Sequence, residues 1–284
     1  MVTEPQQFYL GIGAPRSGTT WLYKNIRAST DLYMPPVKEL RFFRGPRSLR
    51  ERTTQINTLL NTPRLSAADQ QFVDTWRKTK DGDGAAYPGL FPTTGKIGEI
   101  SPIYSIMNRK EIVNLRQYLD GFDVRAFYML RNPFFRDRSH VVFSMHRQKN
   151  RTNPHSESAY KAFIETESFK RRSDYNRNIN NWRAVLRSDL NLFYYDELAA
   201  APKRFFIRFC KRLDITCNRE SLTRLGRNKS GSDGRFAVTL PPAIEDILRQ
   251  RAEDGICNNQ LIASQYQSKW LEELALYFQN RPPS

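Results

Sequence analysis

The chain is short of the residues that build covalent or metal frameworks. Its 284 residues include three cysteines, Cys210, Cys217 and Cys257, and three histidines, His140, His146 and His155. An odd number of cysteines with no close-spaced pair excludes a disulfide framework and offers no zinc-site spacing. His146 follows His140 by six residues, off the i, i+4 spacing of a helical ligand pair, so no structural metal is expected. Long apolar runs are missing as well. None approaches the roughly 18 residues a bilayer span needs. Met1 to Gln7 lacks both the basic start and the apolar core of a signal peptide. The expectation is a soluble, cytoplasmic protein with no transmembrane segment.

Acidic residues are under-represented too. Lys and Arg total 45 against 29 Asp and Glu, a net charge of +16 that calls for an anionic partner. Nucleic acid is one reading. A phosphate-rich cofactor, or a sulfated, phosphorylated or uronic-acid acceptor, is another. Part of the charge is expected to be solvated surface, as at Arg47 to Arg52 and Lys170 to Arg172. The length allows one large α/β domain or at most two small ones, and a single domain over residues 1–284 is expected.

Phe8 to Gly11 is an apolar strand that runs into Gly13-Ala14-Pro15-Arg16-Ser17-Gly18-Thr19-Thr20. Trp21 to Ala28 follows with helical spacing, Leu22 and Ile26 four apart. Residues 46–96 are polar and read as helices and a long surface loop. Lys96 to Glu99 is a short strand. Val124 to Leu130 is a strong one, closed by Arg131-Asn132-Pro133, and Arg136 to Arg147 reads as a helix. Tyr175 to Leu186 is amphipathic, Leu190 to Tyr195 is a strand, and Pro202 to Leu213 is a helix. Residues 226–242 form a loop rich in Gly, Ser, Lys and Arg, and helical segments near 243–253 and 260–278 follow. Strands alternating with helices predict an α/β fold: a single domain with a central, mainly parallel sheet flanked by helices and a P-loop-like phosphate-binding loop. Ligands of such sheets sit beyond the carboxyl ends of the strands, where the turns at 11–20 and 131–139 both lie.

Gly13 and Gly18 permit a tight turn that exposes backbone N–H groups, and the next helix contributes its N-terminus. Thr19 and Thr20 add hydroxyl donors. A nucleoside-triphosphate loop reads G-x-x-x-x-G-K-[ST], with Lys after the last glycine. Here Thr19 stands there, and the cation is Arg16, inside the loop. A donor with one 5′-phosphate carrying a transferable group suits this arrangement better than a triphosphate.

At these residues the sequence resembles the family of sulfotransferases that use 3′-phosphoadenosine 5′-phosphosulfate (PAPS), within it the heparan-sulfate-type and bacterial enzymes. Ala14 to Leu22 is similar to the family's 5′-phosphosulfate loop. The resemblance implies that Arg16 contacts the 5′-phosphate and bridging oxygen, and that Pro15, Ser17, Gly18, Thr19, Thr20 and Trp21 belong to that loop. Arg131 to Ser139 resembles the family's R-[DN]-P-x-x-R-x-x-S motif, which assigns the 3′-phosphate to Arg131 and Ser139. A guanidinium can grip a phosphate bidentately and a hydroxyl can donate to it. Glu99 to Tyr104 resembles the E-K-[ST]-P-x-Y segment, and Tyr195 to Leu198 the Y-E-x-L turn. Ser232 to Arg235 resembles the S-K-G-R loop, which brings Gly234 and Arg235 to the donor. Ile100 and Asp233 each stand where the family carries a Lys.

Pro36 to Phe43 resembles the segment whose Glu is the base in heparan-type enzymes. Glu39 is then the candidate base, Lys38 its electrostatic partner, and His140, next to Ser139, the competing base. Phe42 and Phe43 fit an acceptor pocket or the core; Trp21 and Trp182 read as core rather than adenine-stacking residues. The implied reaction moves a sulfuryl group from PAPS to an acceptor hydroxyl or amine and leaves 3′-phosphoadenosine 5′-phosphate (PAP), with no metal. The basic surface leans toward an anionic saccharide acceptor and not toward a specific nucleic acid. Two alternatives stay open: a P-loop kinase or NTPase, against which Thr19 speaks, and a basic nucleic-acid-binding protein, motivated by charge alone.

Overall fold

The computed structural model describes residues 4–44, 49–61, 65–80, 83–147, 156–218 and 239–280. These fall into two compact units. One is drawn from Met1–Ala14, Gly18–Leu130 and Asn181–Asn228, the other from Pro15–Ser17, Arg131–Asn180 and Lys229–Ser284.

The first unit holds a five-stranded sheet of β1 (Gln7–Gly13), β2 (Leu32–Tyr33), β3 (Lys96–Ile100), β4 (Asp123–Leu130) and β5 (Leu190–Tyr194), in the order β2-β3-β1-β4-β5. Every pair of neighbours is parallel, as the alternation of strands and helices predicts. β1 sits in the middle and carries the glycine-rich turn at its carboxyl end. Phe8 and Tyr9, adjacent in β1, point to opposite faces, and both are fully buried. Strand stretches covered on both faces favour apolar residues at successive positions, which explains the apolar runs Phe8–Ile12 in β1 and Ala126–Leu130 in β4.

On one face Tyr9, Phe127, Met129 and Phe193 pack against Leu22 and Ile26 of α1 (Thr19–Ser29) and Phe205, Phe206 and Phe209 of α10 (Pro202–Arg212). Trp21 joins this cluster edge-on to Phe206 at 5.8 Å, so it packs as the sequence suggested. On the other face Phe8 meets Tyr87 and Phe91 at ring distances of 5.8 and 4.9 Å. The reading of 46–96 as helices and a long surface loop holds for its helices, and this contact corrects the surface loop. The segment forms α2 (Leu49–Leu60), α3 (Ala67–Lys78) and two single 3₁₀ turns, and it buries Phe72, Trp76, Tyr87, Leu90 and Phe91. Arg52 is corrected with it. Instead of lying in solvent it is 8% exposed, donates to the carbonyls of Trp76 and Thr79, and sits 5.1 Å over the Trp76 ring. A guanidinium can be buried there because carbonyl oxygens accept its protons and an indole face accepts its charge.

Polar sequences also concealed α4 (Arg109–Tyr118), which opens with a capping box of Asn108 and Glu111, and the one-and-a-half-turn α9 (Tyr195–Ala200). Trp182 is fully buried and donates its indole N–H to the Tyr104 carbonyl at 3.0 Å, a core role.

The second unit contains α5 (Pro133–Arg147), α6 (Glu157–Ile164), α7 (Glu167–Ser173), α11 (Pro242–Cys257) and α12 (Ser264–Gln279), with the start of α8 (Tyr175–Leu186). α5 begins three residues before the start read from sequence. Asn132 explains this: its side-chain oxygen accepts the Phe134 N–H at 3.1 Å, and Pro133 occupies the first helical position, where no N–H is required. No helix among the described residues is long and apolar enough to cross a membrane.

Candidate functional site

In the second unit the two motifs flagged by sequence meet. Arg16 Nε donates to Ser139 Oγ at 3.1 Å across 123 positions of chain, and Arg131 Nη1 donates to the Arg16 carbonyl at 3.0 Å. Helical spacing sets this up. Arg136, Ser139, His140 and Phe143 are i, i+3, i+4 and i+7 on α5 and share one face. The Arg16 guanidinium lies over Phe143, 4.4 Å from the ring centroid. Arg16 itself is held at φ 69, a left-handed conformation that costs a non-glycine residue about 1–2 kcal/mol. Such strain persists where surrounding contacts fix the residue, and here a hydrogen bond, a carbonyl contact and a ring do so.

Arg131 is fixed in turn by Tyr175, a residue the sequence reading did not single out. The buried phenol accepts the Arg131 N–H at 3.4 Å and donates to the Arg131 carbonyl at 3.0 Å. Burial raises its pKa, so it stays a neutral donor and acceptor. No sequence pattern links 131 to 175; only the packing of α8 does. Arg136 is fully buried, donates to Ser173 Oγ at 2.8 Å and is paired with Asp137.

His140 stacks on Phe169 at 5.4 Å and meets Phe163 edge-on at 5.6 Å. Burial, reinforced by the positive charges of Arg136, Arg172 and Arg16, holds its pKa well below the ordinary imidazole value. The ring is therefore neutral at pH 7, and its buried Nδ1 has no hydrogen-bond partner.

Ser17 is fully buried. Its hydroxyl acts on the Tyr175 phenol electrostatically, yet its oxygen completes no hydrogen bond within normal distance and angle. A buried hydroxyl left in this state costs stability unless a ligand supplies the partner. Ser17, Arg16 and Arg131 thus suit an anion with several acceptor oxygens, and a phosphate group meets that requirement.

The first unit supplies the rest of the loop. Gly18 has φ 82 and precedes α1, whose first residues present their N–H groups without a side-chain cap. A Cβ at Gly18 would lie 2.6 Å from Leu198 Cδ2 and 3.2 Å from Tyr195 Cδ2, so α9 closes against the loop here. This places Tyr195, a sequence candidate, beside the glycine. Thr19 is buried and Thr20 exposed.

Glu39 belongs to the first unit as well. Its carboxylate takes Lys38 Nζ at 2.5 Å on one oxygen and Arg41 Nη2 at 2.9 Å on the other. Burial alone would raise its pKa; the two cations outweigh that and hold it below the ordinary carboxylate value. Glu39 and Arg41 both have positive φ, 63 and 57, in a segment strapped to the end of β3. The Glu39 N–H donates to the Ile100 carbonyl at 3.1 Å, and the Arg41 N–H to Ser101 Oγ at 3.0 Å.

Glu99 is the strap's anchor. It is 1% exposed and accepts from Tyr87, Tyr104, Ser101 and the Leu40 N–H at 2.6, 2.9, 2.6 and 3.3 Å. Burial raises its pKa against the pull of those hydrogen bonds. Ile100 turns into the core cluster, 1% exposed. Phe42 is buried and packs on Tyr87 at 4.9 Å, a core role. Gly234, Arg235 and the rest of the 232–235 motif lie outside the described residues.

An all-parallel five-stranded sheet in the order β2-β3-β1-β4-β5, flanked by helices, is the arrangement of a known fold. The crystal structure of a sulfotransferase from Alicyclobacillus acidocaldarius superimposes with a TM-score of 0.57 at 18% identity, over 95% of this chain and 100% of that one. A retinol dehydratase solved with androsterone and the inactive cofactor PAP matches with a TM-score of 0.52 at 12% identity, over 93% of this chain and 84% of that one. The chain has the sulfotransferase fold. No protein-family model and no curated protein sequence matches it, so the likeness is one of fold.

Proposed function

We propose that the protein is a single-domain, cytoplasmic sulfotransferase over residues 1–284. It transfers the sulfuryl group of PAPS, without a metal, to a hydroxyl or amine of an acceptor such as an anionic saccharide, and is related to the heparan-type and bacterial enzymes. The observation that carries this reading is the Arg131–Arg16–Ser139 chain of hydrogen bonds, which joins the two motifs within one unit.

When bound, PAPS supplies the sulfuryl group and a phosphate leaving group. The chain's own residues do the rest by position and charge. Arg131 and the Ser139 hydroxyl, which accepts from Arg16 and retains a proton to donate, hold the 3′-phosphate. Ser17, Gly18, Thr19, Thr20 and the start of α1 hold the 5′-phosphate, with Pro15, Trp21 and Tyr195 shaping the loop. Gly234 and Arg235 complete the donor site. With the Ser139 hydroxyl turned to a phosphate, the Arg16 guanidinium would stand ready to offset negative charge on the leaving oxygen. Glu39, ionised between Lys38 and Arg41, takes the acceptor proton. Neutral His140 is the competing base. The kinase alternative would need a cation after Gly18, where the structure has the buried hydroxyl of Thr19.

Titration calorimetry without metal tests the reading, with PAP as ligand and adenosine 5′-phosphate as control. PAP should bind more tightly, and Arg131→Ala should remove most of the difference, as loss of charge-assisted hydrogen bonds worth about 1.5–3 kcal/mol predicts. Equal binding of both nucleotides rejects it.

A further inference from the structure

The three cysteines look unrelated in sequence, but two of them meet in the first unit. Cys210 lies in the last turn of α10, 1% exposed. After α10 the chain folds back, with the Ile215 N–H donating to the Cys210 carbonyl at 2.9 Å. Half-buried Cys217 then packs against the core cluster that contains Cys210, near enough for each thiol to feel the other. The returning segment is pinned to the end of α1. Cys217 bridges Thr30, the Asp31 N–H donates to the Thr216 carbonyl at 3.1 Å, the Thr216 N–H donates to Asp31 Oδ1 at 2.9 Å, and the Asn218 N–H donates to the Ser29 carbonyl at 2.8 Å. Folding therefore holds the two cysteines at the same corner of the core. Cys257, on α11 of the second unit, is exposed and serves as an internal control.

We propose that Cys210 and Cys217 are a reversible oxidation site, a dithiol that closes to an intramolecular disulfide on exchange with a low-molecular-weight disulfide such as oxidised glutathione. Cys217, the more accessible thiol, attacks the small disulfide as its thiolate and releases one reduced thiol. Cys210 then attacks the Cys217 sulfur of the mixed disulfide and expels the second thiol, its own proton passing to the leaving sulfur. Two protein thiols are oxidised and one small disulfide is reduced to two thiols, so atoms and electrons balance. Burial, the neighbouring Cys217 and the Asp31 carboxylate all push the Cys210 thiol up, so this second step is the slow one.

The experiment uses the full chain, reduced, desalted and incubated with oxidised glutathione, then alkylated and read by intact mass and peptide mapping. The expected product has lost two hydrogens, carries a 210–217 crosslink, and is several degrees more heat-resistant because a short loop is closed. Cys257→Ala should behave identically. Cys217→Ser, a conservative change at the half-exposed position, should abolish the crosslink. Wild-type protein that stops at a stable glutathione adduct, remains fully alkylated, or crosslinks through Cys257 overturns the proposal.

Discussion

Replacing Gly18 by alanine probes the junction of β1, the phosphate loop and α1 with a single methyl group. Two costs can be worked out. Holding alanine at φ 82 costs about 1–2 kcal/mol, since an L-residue there brings Cβ against its own backbone. The new Cβ would also stand 2.6 Å from Leu198 Cδ2, and relieving such an overlap in a packed site costs about 1–3 kcal/mol. The sum is about 2–5 kcal/mol, which lowers the melting temperature by on the order of 10 °C. Calorimetric unfolding with and without PAP separates fold from site, because any backbone shift that relieves the overlap re-aims the N–H groups of α1 and reduces ligand-induced stabilisation. The steric part has its own control. Leu198→Ala makes room for the methyl but leaves φ unchanged, so the double variant should be less destabilised than the two single losses added, by about 1–3 kcal/mol. An unchanged melting temperature in Gly18→Ala, or strict additivity in the cycle, would refute the reasoning.

Three further outcomes can be measured. Glu39→Gln should lower the turnover rate on the order of 10²-fold or more with the fold intact. Because Lys38 and Arg41 keep the folded carboxyl below its unfolded value, the stability it contributes is present above the unfolded pKa and lost as pH falls through the folded one; an acid limb of activity well above the ordinary carboxylate range would count against Glu39 as base. His140 is buried neutral among Arg136, Arg172 and Arg16 and packed on Phe163 and Phe169, so the unfolded chain takes up its proton first. Stability should therefore decline as pH falls below about 6.5, and His140→Phe, which keeps the ring stack, should flatten that decline in denaturant titrations. Tyr175→Phe removes one donated and one accepted hydrogen bond at Arg131 and should cost about 1–3 kcal/mol of stability. PAP affinity should weaken while adenosine 5′-phosphate affinity does not; equal weakening of both would deny Tyr175 its positioning role.

The sequence by itself determined the local chemistry. Runs of apolar residues located the buried stretches of β1 and β4, because strand positions covered on both faces favour apolar side chains. Glycine and proline marked the turns at Gly18 and Pro133, since these residue types bias the backbone conformation there. The resemblance of Arg131 to Ser139 to a family motif singled out a candidate phosphate site before any contact was known. Tertiary structure decided what spacing cannot carry. The strand order β2-β3-β1-β4-β5, the Arg16–Ser139 hydrogen bond, the doubly bonded Tyr175 and the four donors on Glu99 all depend on side chains remote in sequence. Arg52 reads as solvent-exposed from its charge and is buried because two carbonyls and an indole surround it. Cys210 and Cys217 read as unrelated thiols and meet because the chain turns back over the end of α10. Residue type fixes conformation within a few bonds; proximity follows from how buried surfaces pack, and that packing is a property of the folded chain as a whole.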